Sequence, residues 1–225
     1  MAEPRASSSP AIYQLRVVLR GVSPLVWRRL LVSSETPLAE LHATLQHAFA
    51  WSDDHLHRFL IHGTAYGVPH LGGISFRDDA QRVPLSRFRL HRGERFRYEY
   101  DFTVNWQLDL RLERAMPFDP DRPLPSCIGG SRAAPPESCA GPWAYLQQLE
   151  EHKSHLPLEE LSLLAEALQR WLDAGGDRRA LGDLDEFQEA VDRVEAYRAF
   201  QPDRFDRRAL NRQLRTLAQD REVRP

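Results

Sequence analysis

Residues 94–113 read ERFRYEYDFTVNWQLDLRLE. Phe96, Tyr98, Tyr100 and Phe102 recur at every second position. Trp106, Leu108, Leu110 and Leu112 do the same after a three-residue bridge, Thr103-Val104-Asn105. Successive side chains of a strand point to opposite faces, so period two means one buried face on each arm. The stretch predicts a long β-hairpin.

Working outward, Tyr13, Leu15, Val17 and Leu19 alternate in the same way, and 26–32 and 56–62 are further strand candidates. Between them Pro37 predicts the first residue of a helix, because proline lacks the N–H that would go unpaired there. Leu38, Leu41, Leu45 and Ala48 follow at helical spacing. Seven of the sixteen prolines fall in 117–142, which predicts an ordered or extended loop. Beyond it, 143–151, 158–172, 184–197 and 206–219 all carry helical apolar spacing, with Gly175-Gly176 between the second and third. Strands first and helices afterwards predict an α+β fold: a compact mixed sheet with a packed helix and a long hairpin, followed by a helical C-terminal part. The expected organisation is a disordered leader over 1–11, a core over 12–145, a helical elaboration over 146–200, and a C-terminal helix over 201–225.

The chain has 225 residues, 42% hydrophobic and 28% charged, with a net charge of −2. Such a balance exerts no global pull on nucleic acid or an anionic membrane, so either would have to be held by a local patch. Lys153 is the one lysine among thirty basic residues, as a genome rich in G and C would produce. Two cysteines, Cys127 and Cys139, do not make a zinc signature and suit a reducing cytoplasm. Neither a secretory start nor a run of about eighteen apolar residues is present, and a cytoplasmic protein with no membrane partner is expected.

Six of the nine histidines lie between positions 42 and 70: His42, His47, His55, His57, His62 and His70. Asp54, His55 and His57 could in principle ligate a metal. No HExxH spacing accompanies them, so they read as structural or surface histidines, with no metal and no cofactor. No nucleophile elbow, P-loop or dinucleotide fingerprint occurs. Ser126-Cys127 reads as a tight turn. The adjacent pairs Asp53-Asp54 and Asp78-Asp79 are poor acid/base dyads, since neighbours diverge in a strand and are solvated in a turn. Near the C-terminus, Arg204, Arg208, Arg212 and Arg215 fall within roughly 80° of one helical face, with Leu210, Leu214 and Leu217 opposite. A phosphate-binding face is one reading; a solvated face paired with nearby acids is the preferred one.

Four stretches together resemble the plasmid pRiA4b ORF-3-like family: Ser23-Pro24-Leu25-Val26-Trp27-Arg28-Arg29 with 38–42; Trp51 with His55-Leu56-His57-Arg58-Phe59; Tyr98-Glu99-Tyr100-Asp101-Phe102 with Trp106; and Cys127-Ile128-Gly129-Gly130 leading to Pro135-Pro136-Glu137. Phe205-Asp206, Asn211 and Leu214 form a weaker tail match. The resemblance implies a compact α+β body and an origin on plasmids or beside transposable elements, where some members carry a transposon-resolvase label. It also exposes departures. Where the family pattern has Gly-Asp, then Trp, then His, this chain has Thr103, Val104, Trp106 and Leu108. After Pro-Pro-Glu, Ser138-Cys139-Ala140-Gly141 replaces Asp-Cys-Gly-Gly.

With those polar groups lost, no catalytic residue is assigned. The expected function is a non-catalytic binding or adaptor protein of a plasmid, transposon or accessory element, with a protein partner. Asp101, Trp106, Glu137, Trp27, His55 and His57 are the candidate binding residues, and nucleic acid is a further partner through the C-terminal arginines. The alternative is a metal-dependent hydrolase or nuclease using Asp101, Glu137, His55 and His57.

Overall fold

The computed structural model describes residues 10–68, 76 and 79–222. Most of the expected leader lies outside these residues, as do His70 and Asp78. The chain divides into two units, 1–145 with 203–225, and 146–202.

The fold is α+β. The first unit is built on seven strands: β1 (Ala11–Leu19), β2 (Trp27–Ser33), β3 (His57–Ile61), β4 (Thr64–Tyr66), β5 (Arg95–Tyr100), β6 (Trp106–Pro117) and β7 (Ser126–Ser131). They form one sheet in the order β4-β3-β5-β6-β1-β2-β7, and every neighbouring pair is antiparallel. The hairpin is β5–β6. Tyr98 stands opposite Leu108 and Tyr100 opposite Trp106, and all four are fully buried. Its turn is closed by Asp101, whose Oδ1 accepts from the Thr103 N–H at 3.0 Å. Asp101 and Asn105 both hold left-handed backbone (φ 53° and 57°), which Asp and Asn tolerate better than other side chains.

Helix α1 (Leu38–Phe49) brings Leu38, Leu41 and Leu45 into the core, all fully buried. Pro37 stands one residue outside the helix and not at its first position. Its extended ψ of 153° is that of a cap, and its carbonyl accepts the N–H groups of Glu40 and Leu41. Ala50 closes the other end in the left-handed region.

The proline-rich stretch predicted to be loop contains β7. Only Cys127 of SCIGGS is buried, and two glycines lower its strand propensity, so no local pattern marked it. Its pairing is supplied from both sides. One side is β2. On the other, the Asn211 side chain donates to the Cys127 carbonyl and accepts its N–H, at 2.9 and 2.7 Å. Asn211 belongs to α5 (Arg207–Glu222), which therefore caps an exposed sheet edge that would otherwise offer free backbone groups. Leu210 and Leu214 of α5 are buried. Asp206 caps the helix by accepting from the Ala209 N–H at 2.9 Å.

Helix α2 (Pro142–Ser154) starts in the first unit and continues in the second. The second unit also holds α3 (Leu158–Asp173) and α4 (Leu184–Ala199). Ala167 and Ala190 are fully buried in this unit, small residues that let helices approach closely. Asp183 starts α4 by accepting from the N–H groups of Asp185 and Glu186, the usual role of aspartate at that position. Arg193 of α4 reaches Glu160 of α3 at 3.1 Å, and His152 stacks on Tyr197 at 4.2 Å.

Candidate functional site

The end of α1, the segment 50–56, the turn of the β5–β6 hairpin and the Pro135–Glu137 segment meet at one place on the first unit. Two layers of polar side chains lie there.

The lower layer is buried at His42, Gln46 and Tyr98, half-buried at His57 and exposed at Asp53. His42 and Gln46 are one helical turn apart on α1 and both point into the core. Gln46 Nε2 donates to the Tyr98 hydroxyl at 2.8 Å. That hydroxyl lies 2.8 Å from His42 Nδ1, and His42 Nε2 lies 2.7 Å from Asp53 Oδ1. An amide N–H can only donate, so Gln46 gives to the Tyr98 hydroxyl. Burial pushes the His42 pKa from 6.5 down to about 4, which leaves the ring neutral at pH 7, and pushes the Tyr98 hydroxyl well above its ordinary value. The neutral ring gives the chain one direction: Gln46 to Tyr98, Tyr98 to His42 Nδ1, and His42 Nε2–H to Asp53. His57, from β3, stacks on His42 with ring centres 3.5 Å apart and planes 7° apart.

The upper layer opens to solvent as a cleft of about 600 Å³ lined by Trp51, Ser52, Asp54, His55, Pro136 and Glu137, among others. Its floor is aromatic. Trp51 stacks on Tyr100 at 5.2 Å and meets Trp106 at 6.1 Å, and its indole N–H donates to the Pro135 carbonyl. Above this floor the Glu137 carboxylate accepts from the Tyr100 hydroxyl and from the Ser52 N–H. The Ser52 hydroxyl lies within reach of both Glu137 and Asp54; having one hydrogen, it serves one carboxylate at a time. Desolvation pushes the Glu137 carboxyl up, but the Ser52 and Tyr100 donors outweigh it and leave its pKa below the ordinary value. Glu137 is thus ionised at neutral pH. His55 lies 3.6 Å from Asp101 at the cleft's edge. Ala50, Asp53, Asp101 and Asn105, all left-handed, surround the site, and such residues concentrate where surrounding structure over-determines the backbone.

The candidate residues therefore separate. Glu137 and His55 line the cleft. Asp101 sits behind His55 as the hairpin's cap, and Trp106 is fully buried beneath Trp51. His57 belongs to the lower layer. Trp27 lies elsewhere, in contact with the guanidinium groups of Arg16 and Arg29, each 5.4 Å from its ring. Arg208, Arg212 and Arg215 project from α5 into solvent and make no ion pair among the described residues, and Arg204 precedes that helix. The metal set considered from sequence, Asp101, Glu137, His55 and His57, is not what converges. Among the described residues the converging donors are His42, Asp53 and His57, with ligand atoms within 4.8 Å of one another. His42 and Asp53 went unselected in the sequence. Their signal was two polar residues, His42 and Gln46, set at i and i+4 on the apolar stripe of a helix.

The buried imidazole makes a pH prediction. In the folded chain His42 takes its proton near pH 4, whereas an unfolded histidine takes it up near about 6.5. Between those values the unfolded state holds more protons, so stability falls as pH drops through this window. A shift of this size amounts to about 3 kcal/mol. Asp53, its carboxyl raised by burial, works in the opposite sense, so the comparison is with His42→Gln. Urea melts in EDTA at neutral pH and near pH 4.5 should show wild type losing about 2–3 kcal/mol more than the variant. Equal losses would mean that His42 is protonated in the fold.

The family model for the plasmid pRiA4b ORF-3-like protein matches residues 11–209. The uncharacterized protein y4hQ of Sinorhizobium fredii (strain NBRC 101917 / NGR234) is 29% identical over 192 residues, which cover 83% of this chain and 93% of that protein. Among solved structures, a protein of unknown function from Methanosarcina mazei Go1, MM3350, matches with a TM-score of 0.65 at 26% identity, covering 89% of this chain and 97% of that one. About five-sixths of the sequence thus aligns with a relative, and the architecture is similar to that of a solved protein. The chain belongs to the plasmid pRiA4b ORF-3-like family.

Proposed function

We propose that this chain is a non-catalytic binding protein of a plasmid-borne or accessory element, whose cleft receives a cationic side chain of a protein partner. One observation carries the reading: the Glu137 carboxylate is fixed by Ser52 and Tyr100 above an aromatic floor and beside Asp54. An ionised, immobilised carboxylate next to a second one suits a guanidinium or ammonium group, and immobilising it beforehand lowers the ordering cost of binding. Two further points favour binding over catalysis. Leu108, at the position of the family histidine, is fully buried opposite Tyr98. The Ser52 hydroxyl is engaged by carboxylates, with no histidine among its partners in the described residues. The free thiols of Cys127 and Cys139 support a cytoplasmic setting. Among the described residues no helix is long and apolar enough to cross a membrane.

A short arginine-bearing peptide titrated against the protein, followed by tryptophan fluorescence, tests this. Saturable binding should weaken at least about tenfold, 1.4 kcal/mol, in Glu137→Gln/Asp54→Asn. Binding unchanged by the double substitution would remove the cleft from the function.

The converging donors favour a second reading, metal-dependent chemistry at His42, Asp53 and His57. Two features oppose it. The His42 and His57 imidazoles are stacked face to face, 3.5 Å apart and nearly parallel, so their nitrogen lone pairs run side by side and do not aim at one point. A metal on His42 Nε2 would also displace the Asp53 hydrogen bond and reverse the Tyr98 contact. Thermal melts with zinc, manganese or EDTA are expected to coincide. A saturable rise with one metal would establish the second reading, because an ion that binds only the native state must stabilise it.

A further inference from the structure

The sheet face turned away from α1 carries a row that only the strand register reveals. Arg95 of β5 stands opposite Arg111 of β6, Arg111 opposite Arg16 of β1, and Arg16 opposite Arg29 of β2. Four arginines thus lie side by side across four adjacent strands. Directly opposed like charges destabilise a sheet, so the row is a cost to the fold. Nearby, Arg92 and Arg114 join Arg29 and Arg111 around a concavity of about 460 Å³. Glu113 and Ile128 also line it, and each is the extra residue where the register shifts, on β6 and on β7.

The other half of the same face is organised differently. There Arg58 meets Glu99 at 2.7 Å, and Arg20 and Arg97 both meet Asp109 at 3.6 Å. In the arginine half Glu113 is the one carboxylate among the described residues that line the concavity, and Arg29 engages it through two hydrogen bonds. Arg92, Arg95, Arg111 and Arg114 are exposed and have no carboxylate partner among the described residues. Arg16 Nε is shielded from water and finds no hydrogen-bond partner there either.

We infer that this face is a binding surface for the phosphate backbone of duplex DNA. The charge on the row calls for a polyanion, and guanidinium forks bind phosphate oxygens in pairs. With strands about 4.8 Å apart, four of them span about 14 Å, or about four steps of a duplex strand at 3.4 Å each. Trp27, an aromatic ring beside the row, is occupied by Arg16 and Arg29. Occupied in this way, Trp27 offers no free stacking platform to unpaired bases, which single-strand binders use. Contact is therefore to phosphates and independent of sequence. The α5 arginines do not share this argument, since cations spaced along one solvated helix cost the fold little.

A fluorescent two-turn duplex of arbitrary sequence, with either strand alone as a second probe, tests the inference independently of the cleft. At about 50 mM salt the duplex should bind near micromolar affinity, with a log–log salt slope of about −3 to −4. Arg92→Gln/Arg95→Gln/Arg111→Gln/Arg114→Gln should lose at least about tenfold in affinity and most of the slope, with its melting temperature kept or raised. Should it melt early, Arg95→Gln/Arg111→Gln carries the same comparison, with the slope less negative by about two. Arg208→Gln/Arg212→Gln/Arg215→Gln should change neither quantity. The inference is overturned by absence of duplex binding at low salt, by tighter binding of the single strand, or by full binding in the sheet variant. Loss of binding in the α5 variant alone overturns it as well.

Discussion

Replacing Trp106 with alanine is expected to lower the stability by about 3–5 kcal/mol, as large-to-small aromatic changes in cores do. Trp106 is the largest of the fully buried side chains. It faces Tyr100 across the hairpin and supports Trp51, which in turn forms the cleft floor. Its removal therefore combines a large loss of buried apolar surface with a cavity that the flanking rings cannot close without leaving their stacked positions. The indole Nε1 has no hydrogen-bond partner among the described residues, so the ring is held by packing. Trp106→Phe keeps most of that packing and deletes the buried N–H; its cost should stay below about 1.5 kcal/mol. Urea melts of the two variants separate packing from polarity. A loss under about 1 kcal/mol for the alanine variant would show that the floor repacks freely, and would take away the rigid support on which the Glu137 cleft depends.

The same row of residues shows what the sequence made legible. Period-two alternation over 94–113 located β5 and β6 and all of their buried hydrophobic residues, because a sheet with one covered face favours that pattern; Phe102, counted in the row, instead lies half-buried in the turn with Arg58 over its ring. The strand β7 escaped because its ordering comes from outside itself, from β2 and from Asn211 eighty-four positions away. The site was legible in part. Glu137 and His55 were singled out and line one cleft. His42 was passed over in favour of histidines with carboxylate neighbours in sequence, whereas its actual partner Tyr98 is fifty-six positions away. Asp53, read as half of a solvated pair, is exposed as expected; what went unseen is that, at a left-handed φ of 65°, its carboxylate lies 2.7 Å from His42 Nε2. Trp27 was selected as a candidate binding residue. Its role depends on Arg16 and Arg29, which only the β1–β2 register brings beside it.

Arg28 is the second position where a large effect is expected, and the arrangement around it explains how the helices and the sheet of the first unit are tied together. The side chain is 2% exposed, an unusual place for a charge. Its Nε donates to the Ala48 carbonyl at the end of α1, and its Nη1 to the carbonyls of Trp27 and Ser131, on β2 and β7. The guanidinium plane lies 3.9 Å from the Phe205 ring centre and 5.2 Å from that of Phe49. Gly130 makes room for this, because a Cβ there would stand 2.4 Å from the Phe205 ring. Burial lowers the Arg28 pKa to about 10, yet the group stays charged at neutral pH, and its charge is spread over two aromatic faces and three carbonyl dipoles. Arg28→Ala deprives three carbonyls of a donor and opens a cavity between two rings; a loss of about 3–5 kcal/mol is expected. Arg28→Met fills the cavity and removes the desolvated charge, but it still abandons the carbonyls, so a loss of about 1–3 kcal/mol is expected. Arg28→Lys keeps the charge without the planar fork, and should fall nearer to alanine than to methionine. Urea melts of the three variants order these contributions. Methionine as costly as alanine would assign the stability to the hydrogen bonds alone, whereas lysine as benign as wild type would show that charge, and not the geometry of the fork, holds α1, β7 and the approach to α5 together.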